Sequence, residues 1–203
     1  MFKPSKNGFH FPNFFASAPV VTIHIPLLGN YGIGDSAGGL CGGMAFAAAD
    51  YYNNSMLAPE SADVPAPDTV LFNYLCERLI DSFHLPLGAM RFFEWMNFSD
   101  QYVTRLTLIE FEKIKTCLDH SLLVPLGLVT IYSHNPLDIG QCHQVLAYGH
   151  SGDTLLIYDP NQPDNDEVTL AVGSDSIKLT GDLTVRGFFQ VDYAAKVPPK
   201  QQK

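Results

Sequence analysis

The spacing of apolar residues predicts that the first half of the chain is mainly helical. Helical periodicity begins near Cys41, returns from about residue 68, and then covers 88–98 and 107–120. The last of these segments starts with Thr-Leu-Ile-Glu, which has the form of a helix capping box. A short strand is predicted over 20–25, and the glycine-rich segment that follows it is predicted to be a loop up to the first helix.

The second half consists of short β-rich runs separated by Gly, Asp, Asn and Pro. In chain order the runs are LLVPLGLVTIYS, CHQVLAYGH, TLLIYDP, EVTLAV, SIKLT and VRGFFQVDY. Helices followed by strands are typical of an α+β domain in which the helices pack against an antiparallel sheet. We therefore expect a single domain over 1–203, with a mainly helical part at 1–121, a mainly β part at 122–195 and a tail at 196–203.

Composition and charge narrow the functional classes. The chain has 203 residues, is 46% hydrophobic and carries a formal net charge of -9, so it can bury a substantial core. It has no run of Lys or Arg, which argues against a nucleic-acid partner. No apolar run has the length of a membrane span, and the N-terminus has no continuous apolar segment of the kind found in signal peptides. We expect a cytoplasmic protein, or one exported without a recognisable signal peptide, and the sequence assigns no oligomeric state.

Cys41 is the first candidate for chemistry. The four cysteines are scattered without zinc-binding spacing, so we expect free thiols and neither a metal nor a cofactor. Cys41 lies between two pairs of glycines at the start of a predicted helix, where free amides and the helix dipole stabilise a thiolate. The glycines at 38–39 and 42–43 would let a substrate backbone approach the sulfur. The alternative is a buried structural cysteine, the commoner role of a free thiol.

A histidine and an aspartate are predicted to lie side by side in the β-rich half. His143 starts the run HQVLAYG, and Asp159 ends the next run, LLIYDP. The turn HSGD between the two runs indicates a hairpin, in which the start of one strand lies beside the end of the other. A thiolate nucleophile needs a nearby base, and the base needs a group that orients it. His143 and Asp159 are therefore candidates for these two roles, with Asn161 as the alternative orienting residue.

The segments GLCGGMAFAA, HQVLAYG and IYDPNQP together resemble the papain-like cysteine peptidases. Within that superfamily, the three segments most resemble the group that includes the bacteriocin-processing, double-glycine peptidases. In that superfamily a cysteine opens a helix of a helical subdomain, and a histidine and an Asn or Asp come from adjacent strands of a following sheet. The resemblance implies a papain-like fold, a peptide or protein substrate and no cofactor. It also implies that Cys41 is the nucleophile, His143 the general base and acid, and Asp159 the orienting carboxylate.

The resemblance leaves the oxyanion donors to be identified. The family commonly has a Gln six residues before the nucleophile, and this chain has Asp35 at that position. An ionised carboxylate cannot donate a hydrogen bond and would repel a developing oxyanion. The backbone N–H of Cys41 supplies one donor. Asn30 and Gln141 are the candidates for the second.

Two further functions fit the same residues. The order Cys, His, Asp also occurs in acyltransferases of the transglutaminase-like and arylamine acetyltransferase-like kinds. The presence of Asp35 instead favours a catalytically inactive papain-like module that binds peptides or a protein partner. The reactivity of Cys41 distinguishes the inactive module from both enzymes, because only the enzymes need an activated thiolate.

Overall fold

The computed structural model describes residues 1–17, 21–25, 29–33, 39–67, 69–174, 176–181 and 183–200, and in it helices pack against an antiparallel sheet. This confirms the predicted α+β class. The described helices are α1 (Pro4–Asn7), α2 (Cys41–Asn53), α3 (Val70–Ser82), α4 (Leu87–Asn97) and α5 (Asp100–Asp119), with a 3₁₀ helix at Pro136–Gln141. None of them is both long and apolar enough to cross a membrane.

The strands of the second half form one antiparallel sheet. They are β3 (Val124–Val129), β4 (His143–Ser151), β5 (Thr154–Tyr158), β6 (Thr169–Val172), β7 (Ile177–Leu179), β8 (Leu183–Val185) and β9 (Gly187–Gln190). The spatial order of the described strands is β8-β7-β6-β5-β4-β3-β9. Most neighbours in this sheet are also neighbours along the chain, and the short turn at Gly152 and Asp153 determines which ends of β4 and β5 meet.

Alternating residues of the sheet pack against helices on its two faces. In β4, Val145 and Ala147 belong to the core cluster that contains Phe111 and Ile114 of α5. Leu146, between them, belongs to the cluster that contains most of α2, α3 and α4. This alternation follows from the period of two along a strand. The sheet is therefore covered on both faces, and α2 packs directly on β4, the strand that begins at His143.

The glycines after Cys41 allow α2 to approach its neighbours closely. A Cβ atom on Gly43 would lie 2.0 Å from the carbonyl oxygen of Leu75 in α3. A Cβ atom on Gly42 would lie 2.4 Å from Ser82 Oγ and 2.5 Å from Gln144 Nε2. These distances are far shorter than van der Waals contact, so a side chain at either position would push α2 away. Gly42 and Gly43 thus serve the packing of the helix.

A buried ion pair fixes α2 to α3 and to the C-terminal segment. Asp50 in α2 is fully buried, and its Oδ2 lies 2.7 Å from Nε of the equally buried Arg78 in α3. Its Oδ1 accepts hydrogen bonds from the Tyr193 hydroxyl and from the backbone N–H of Lys196, each at 2.8 Å. A buried charge needs hydrogen-bond partners, and these donors provide them for Asp50. The helix that begins at Cys41 is therefore fixed near its C-terminal end.

Two local predictions need correction. The segment predicted as a loop after the first strand contains a second strand, β2 (Gly29–Ile33), which pairs with β1 (Val21–Ile25) as an antiparallel hairpin. The helix predicted over 107–120 is α5, which begins at Asp100 rather than at Thr107. Thr107 is buried within that helix, and its hydroxyl accepts the N–H of Phe188, so tertiary packing accounts for this threonine better than helix capping does.

Candidate active site

The β4–β5 hairpin brings His143 and Asp159 together at one end of the sheet. His143 is the first residue of β4 and Asp159 follows β5 directly, as the predicted hairpin requires. His143 Nε2 lies 2.7 Å from Asp159 Oδ1, and only 2% of Asp159 is exposed. The carboxylate therefore holds the ring through Nε2 and leaves Nδ1 for a second partner.

Cys41 provides that second partner from the start of α2. It is the first residue of the helix, and its thiol lies beside His143, whose charge and hydrogen bonding lower the pKa of the thiol. Because Asp159 engages Nε2, Nδ1 is the ring nitrogen left for the sulfur. Hydrogen bonding by the backbone of Gln144 and Gly42 lowers the pKa of the thiol further. The sulfur thus lies among donors that favour its ionised form.

The electrostatics of the site favour charge separation between Cys41 and His143. Burial alone would raise the pKa of Cys41, but the positive ring of His143 and its hydrogen bond hold that pKa below its usual value. Burial likewise disfavours a charged ring, yet the Cys41 thiolate and the Asp159 hydrogen bond raise the pKa of His143 to about 10. Both shifts therefore favour the thiolate–imidazolium form of the pair over the neutral form, and the thiolate is the form of cysteine that reacts as a nucleophile.

Asp159 is held as a carboxylate by several donors. Burial would raise the pKa of Asp159, but the hydrogen bond and charge of His143 hold it below the usual range. Further donors are the backbone N–H of Asn161, at 2.9 Å, and the side-chain amide of Gln162, at 3.4 Å. Asn161 Nδ2 lies 3.3 Å from His143 Nε2, the same nitrogen that faces Asp159. The shorter, charged contact makes Asp159 the main partner of the ring.

A cleft of about 600 Å³ opens beside the three side chains. Its walls come from Asn13, Gly39, Cys41, residues 130–131 and 140–143, Asp159, and residues 161–162 and 179–180. Apart from the Cys41, His143 and Asp159 cluster, the lining side chains are uncharged. Such a wall suits an uncharged polar group such as a peptide backbone better than a strongly charged ligand.

Of the residues considered for the oxyanion, only Gln141 has a side chain within the described part of the structure. Gln141 lines the cleft, and its backbone oxygen accepts a hydrogen bond from Thr130 Oγ1 at 2.7 Å. Asn30 lies in β2, where it is paired with His24, and its side chain is outside the described part of the structure. Asp35 also lies outside the described residues.

Asn13 is a site residue that the sequence did not reveal. It lines the cleft, and its Oδ1 accepts the backbone N–H of Leu40 at 2.6 Å. Its Nδ2 donates to Asn161 Oδ1 at 3.1 Å. Asn13 thus connects the residue before the nucleophile with the loop that carries Asp159. Buried aromatic side chains fix this N-terminal segment to the core, among them Phe9, Phe11 and Phe15.

The other buried thiols provide a contrast with Cys41. Cys142 lines the same cleft, but burial raises its pKa to about 11. Burial likewise raises the pKa of Cys76, in α3, to about 11. Both thiols therefore stay protonated near neutral pH. Among the described residues, no group of three or more His, Cys, Asp or Glu side chains has the arrangement of a metal site.

Comparison of the chain with protein-family models, with curated proteins and with solved structures finds no match. The geometry of the site is therefore the basis for inferring a function.

Proposed function

We propose that this protein is a papain-like cysteine hydrolase that cleaves peptide or amide bonds through a thioester acyl-enzyme. The observation that carries the proposal is the arrangement of His143, whose Nε2 contacts the buried carboxylate of Asp159 and whose ring lies beside the Cys41 thiol in the same cleft. These groups come from the first residue of α2, the first residue of β4 and the residue that follows β5. A nucleophile, its base and an orienting group in contact form the arrangement used in nucleophilic catalysis.

The acylation step begins with attack of the Cys41 thiolate on the substrate carbonyl carbon. A carbon–sulfur bond forms, and the carbonyl electron pair moves onto oxygen to give an oxyanion. The N–H of Cys41 belongs to the first turn of α2, where backbone amides have no acceptor within the helix, so it is suited to this oxyanion. When the intermediate collapses, the imidazolium of His143 gives its proton to the departing amine, and the acyl group remains on sulfur.

The deacylation step uses His143 as a base. The neutral ring takes a proton from water, and the resulting hydroxide attacks the thioester carbonyl. The carbon–sulfur bond then breaks, which releases a carboxylic acid and regenerates the thiolate beside a protonated ring. Asp159 stabilises the positive ring throughout because its carboxylate stays within hydrogen-bond distance of Nε2. An amine that replaces water in this step would make the enzyme an acyltransferase.

We expect Cys41 to react with iodoacetamide at pH 6 at least about 100-fold faster than Cys76 or Cys142, because only the thiolate attacks. The pKa of Cys41 is lowered, whereas that of each of the other two is raised to about 11. Peptide mapping by mass spectrometry at several times of reaction measures the three rates in one sample.

Variants of two histidines on β4 make this experiment selective. His143→Ala should remove the advantage of Cys41, because the positive ring is the partner that lowers its pKa. His150→Ala is the matched control, since His150 also contacts an aspartate, Asp119, at 2.9 Å but lies near the opposite end of the strand. Equal rates for Cys41 and Cys142 in the wild-type protein would exclude the hydrolase and favour an inactive binding module.

A further inference from the structure

The candidate site still needs a second hydrogen-bond donor for the oxyanion, because an acyl-transfer site usually offers two. The N–H of Cys41 accounts for one donor. Among the described residues that line the cleft, Asn13 is a side-chain amide attached directly to the start of the nucleophile helix, through its hydrogen bond with Leu40. Asn13 reaches this position from the N-terminal segment, far from Cys41 in sequence.

The orientation of the Asn13 amide is determined by its partners. Oδ1 accepts the N–H of Leu40 at 2.6 Å, so the other end of the amide, Nδ2, must be the donor. One hydrogen of Nδ2 goes to Asn161 Oδ1 at 3.1 Å. An amide nitrogen carries two hydrogens, and the second is available to a ligand in the cleft.

The Asn13 side chain is also held in place before any ligand arrives. Its backbone N–H donates to the carbonyl of Pro160 at 2.9 Å. The amide packs against Gly39, which has a φ of +76°, and a Cβ atom there would lie 2.3 Å from Asn13 Nδ2. Only glycine can provide both this backbone conformation and this space. Gly39 therefore has a defined purpose, which is to admit the Asn13 amide next to the nucleophile.

We propose that Asn13 Nδ2 is the second oxyanion donor, opposite the N–H of Cys41, an inference that rests on the proposed hydrolase function. When the thiolate attacks a carbonyl, the carbon–sulfur bond forms as the oxygen gains a full negative charge. The free hydrogen of Nδ2 then bonds to that oxygen. A fixed donor of this kind stabilises the charged intermediate more than the neutral carbonyl, which lowers the barrier.

Asn13→Asp is the most selective variant, because the carboxylate can still accept the N–H of Leu40 but can no longer donate. Two reactions of Cys41 are compared in each protein. Acylation by p-nitrophenyl acetate passes through an oxyanion and releases p-nitrophenolate, whereas alkylation by iodoacetamide displaces iodide without forming one. We expect Asn13→Asp to lower the ratio of the acylation rate to the alkylation rate by about 100-fold.

Two further variants test the origin of this effect. Asn13→Ala should lower the ratio to a similar extent. Thermal unfolding shows which Asn13 variants keep the fold, and the ratio is measured on those. Asn165→Asp adds the same charge on the neighbouring loop, outside the cleft, and should leave the ratio unchanged.

The outcomes separate this inference from the proposed function. A fall of tenfold or more in the ratio, confined to the folded Asn13 variants, supports Asn13 as the donor. A smaller fall, or an equal slowing of both reactions, overturns it and leaves the nucleophile assignment intact. A wild-type Cys41 that is alkylated no faster than Cys142 and is not acylated overturns both claims.

Discussion

Replacing Cys41 with alanine is expected to reduce acyl transfer by on the order of 10⁶-fold, the scale of loss seen when a triad loses its nucleophile. The reason is chemical, since the thioester cannot form without the sulfur. The fold should survive, because Cys41 is the first residue of α2 and the packing of that helix depends on Gly42, Gly43 and the alanines beyond them. Release of p-nitrophenolate from p-nitrophenyl acetate measures the loss.

The control for this variant is another free cysteine. Cys117 lies near the end of α5, outside the cleft, so Cys117→Ser should keep the wild-type rate. A Cys41→Ala protein that retains more than about a hundredth of the wild-type rate would assign the chemistry to another group. Thermal unfolding of both variants distinguishes a chemical loss from a loss of structure.

Replacing Asp159 with asparagine is expected to reduce the rate by on the order of 10⁴-fold. The amide oxygen can still accept from His143, but the negative charge that favours the protonated ring is lost. The pKa of His143, which is raised to about 10 in the wild-type protein, should therefore fall. With an amide substrate, whose departing amine takes the proton of His143, the wild-type rate should decline only as the pH rises past about 10. In the variant the decline should begin at a lower pH. A pH–rate profile from slightly acidic to alkaline solution records both effects.

Two variants sharpen the Asp159 experiment. Asp153→Asn makes the same charge change at the turn of the β4–β5 hairpin, at the end away from the site, and should leave the profile unaltered. Asn161→Ala tests the alternative orienting residue and should cost at least about tenfold less than Asp159→Asn, because Asn161 contacts the ring at 3.3 Å and Asp159 at 2.7 Å. A greater loss in Asn161→Ala would transfer the orienting role to Asn161.

The features that local sequence determines were predictable. The Gly-containing turn between β4 and β5 has Gly152 at a φ of +56°, and it sets the hairpin that joins His143 to Asp159. The small residues after Cys41 indicated a closely packed helix, and Ala45, Ala47, Ala48 and Ala49 are all fully buried. The α+β class followed from the change of apolar period along the chain.

The features that depend on distant contacts were not predictable. Asn13 enters the site because aromatic residues of the N-terminal segment pack on the core, and no local pattern indicates that contact. Gly42 and Gly43 looked like space for a substrate, but their neighbours are α3 and β4. The S/T-x-x-E pattern at Thr107 fails because tertiary contacts to β9 outweigh a cap at that position. In each case, residues far away in sequence determine the role.

The most direct measurement is the identification of the acylated residue. Wild-type protein treated briefly with p-nitrophenyl acetate, quenched in acid and digested should carry a single acetyl group, on the peptide that contains Cys41. The acetyl group should be absent from Cys41→Ala and strongly reduced in His143→Ala, whereas Cys117→Ser should resemble the wild-type protein. Acetylation spread over Cys142 and surface lysines, with no preference for Cys41, would contradict a catalytic Cys41–His143–Asp159 site.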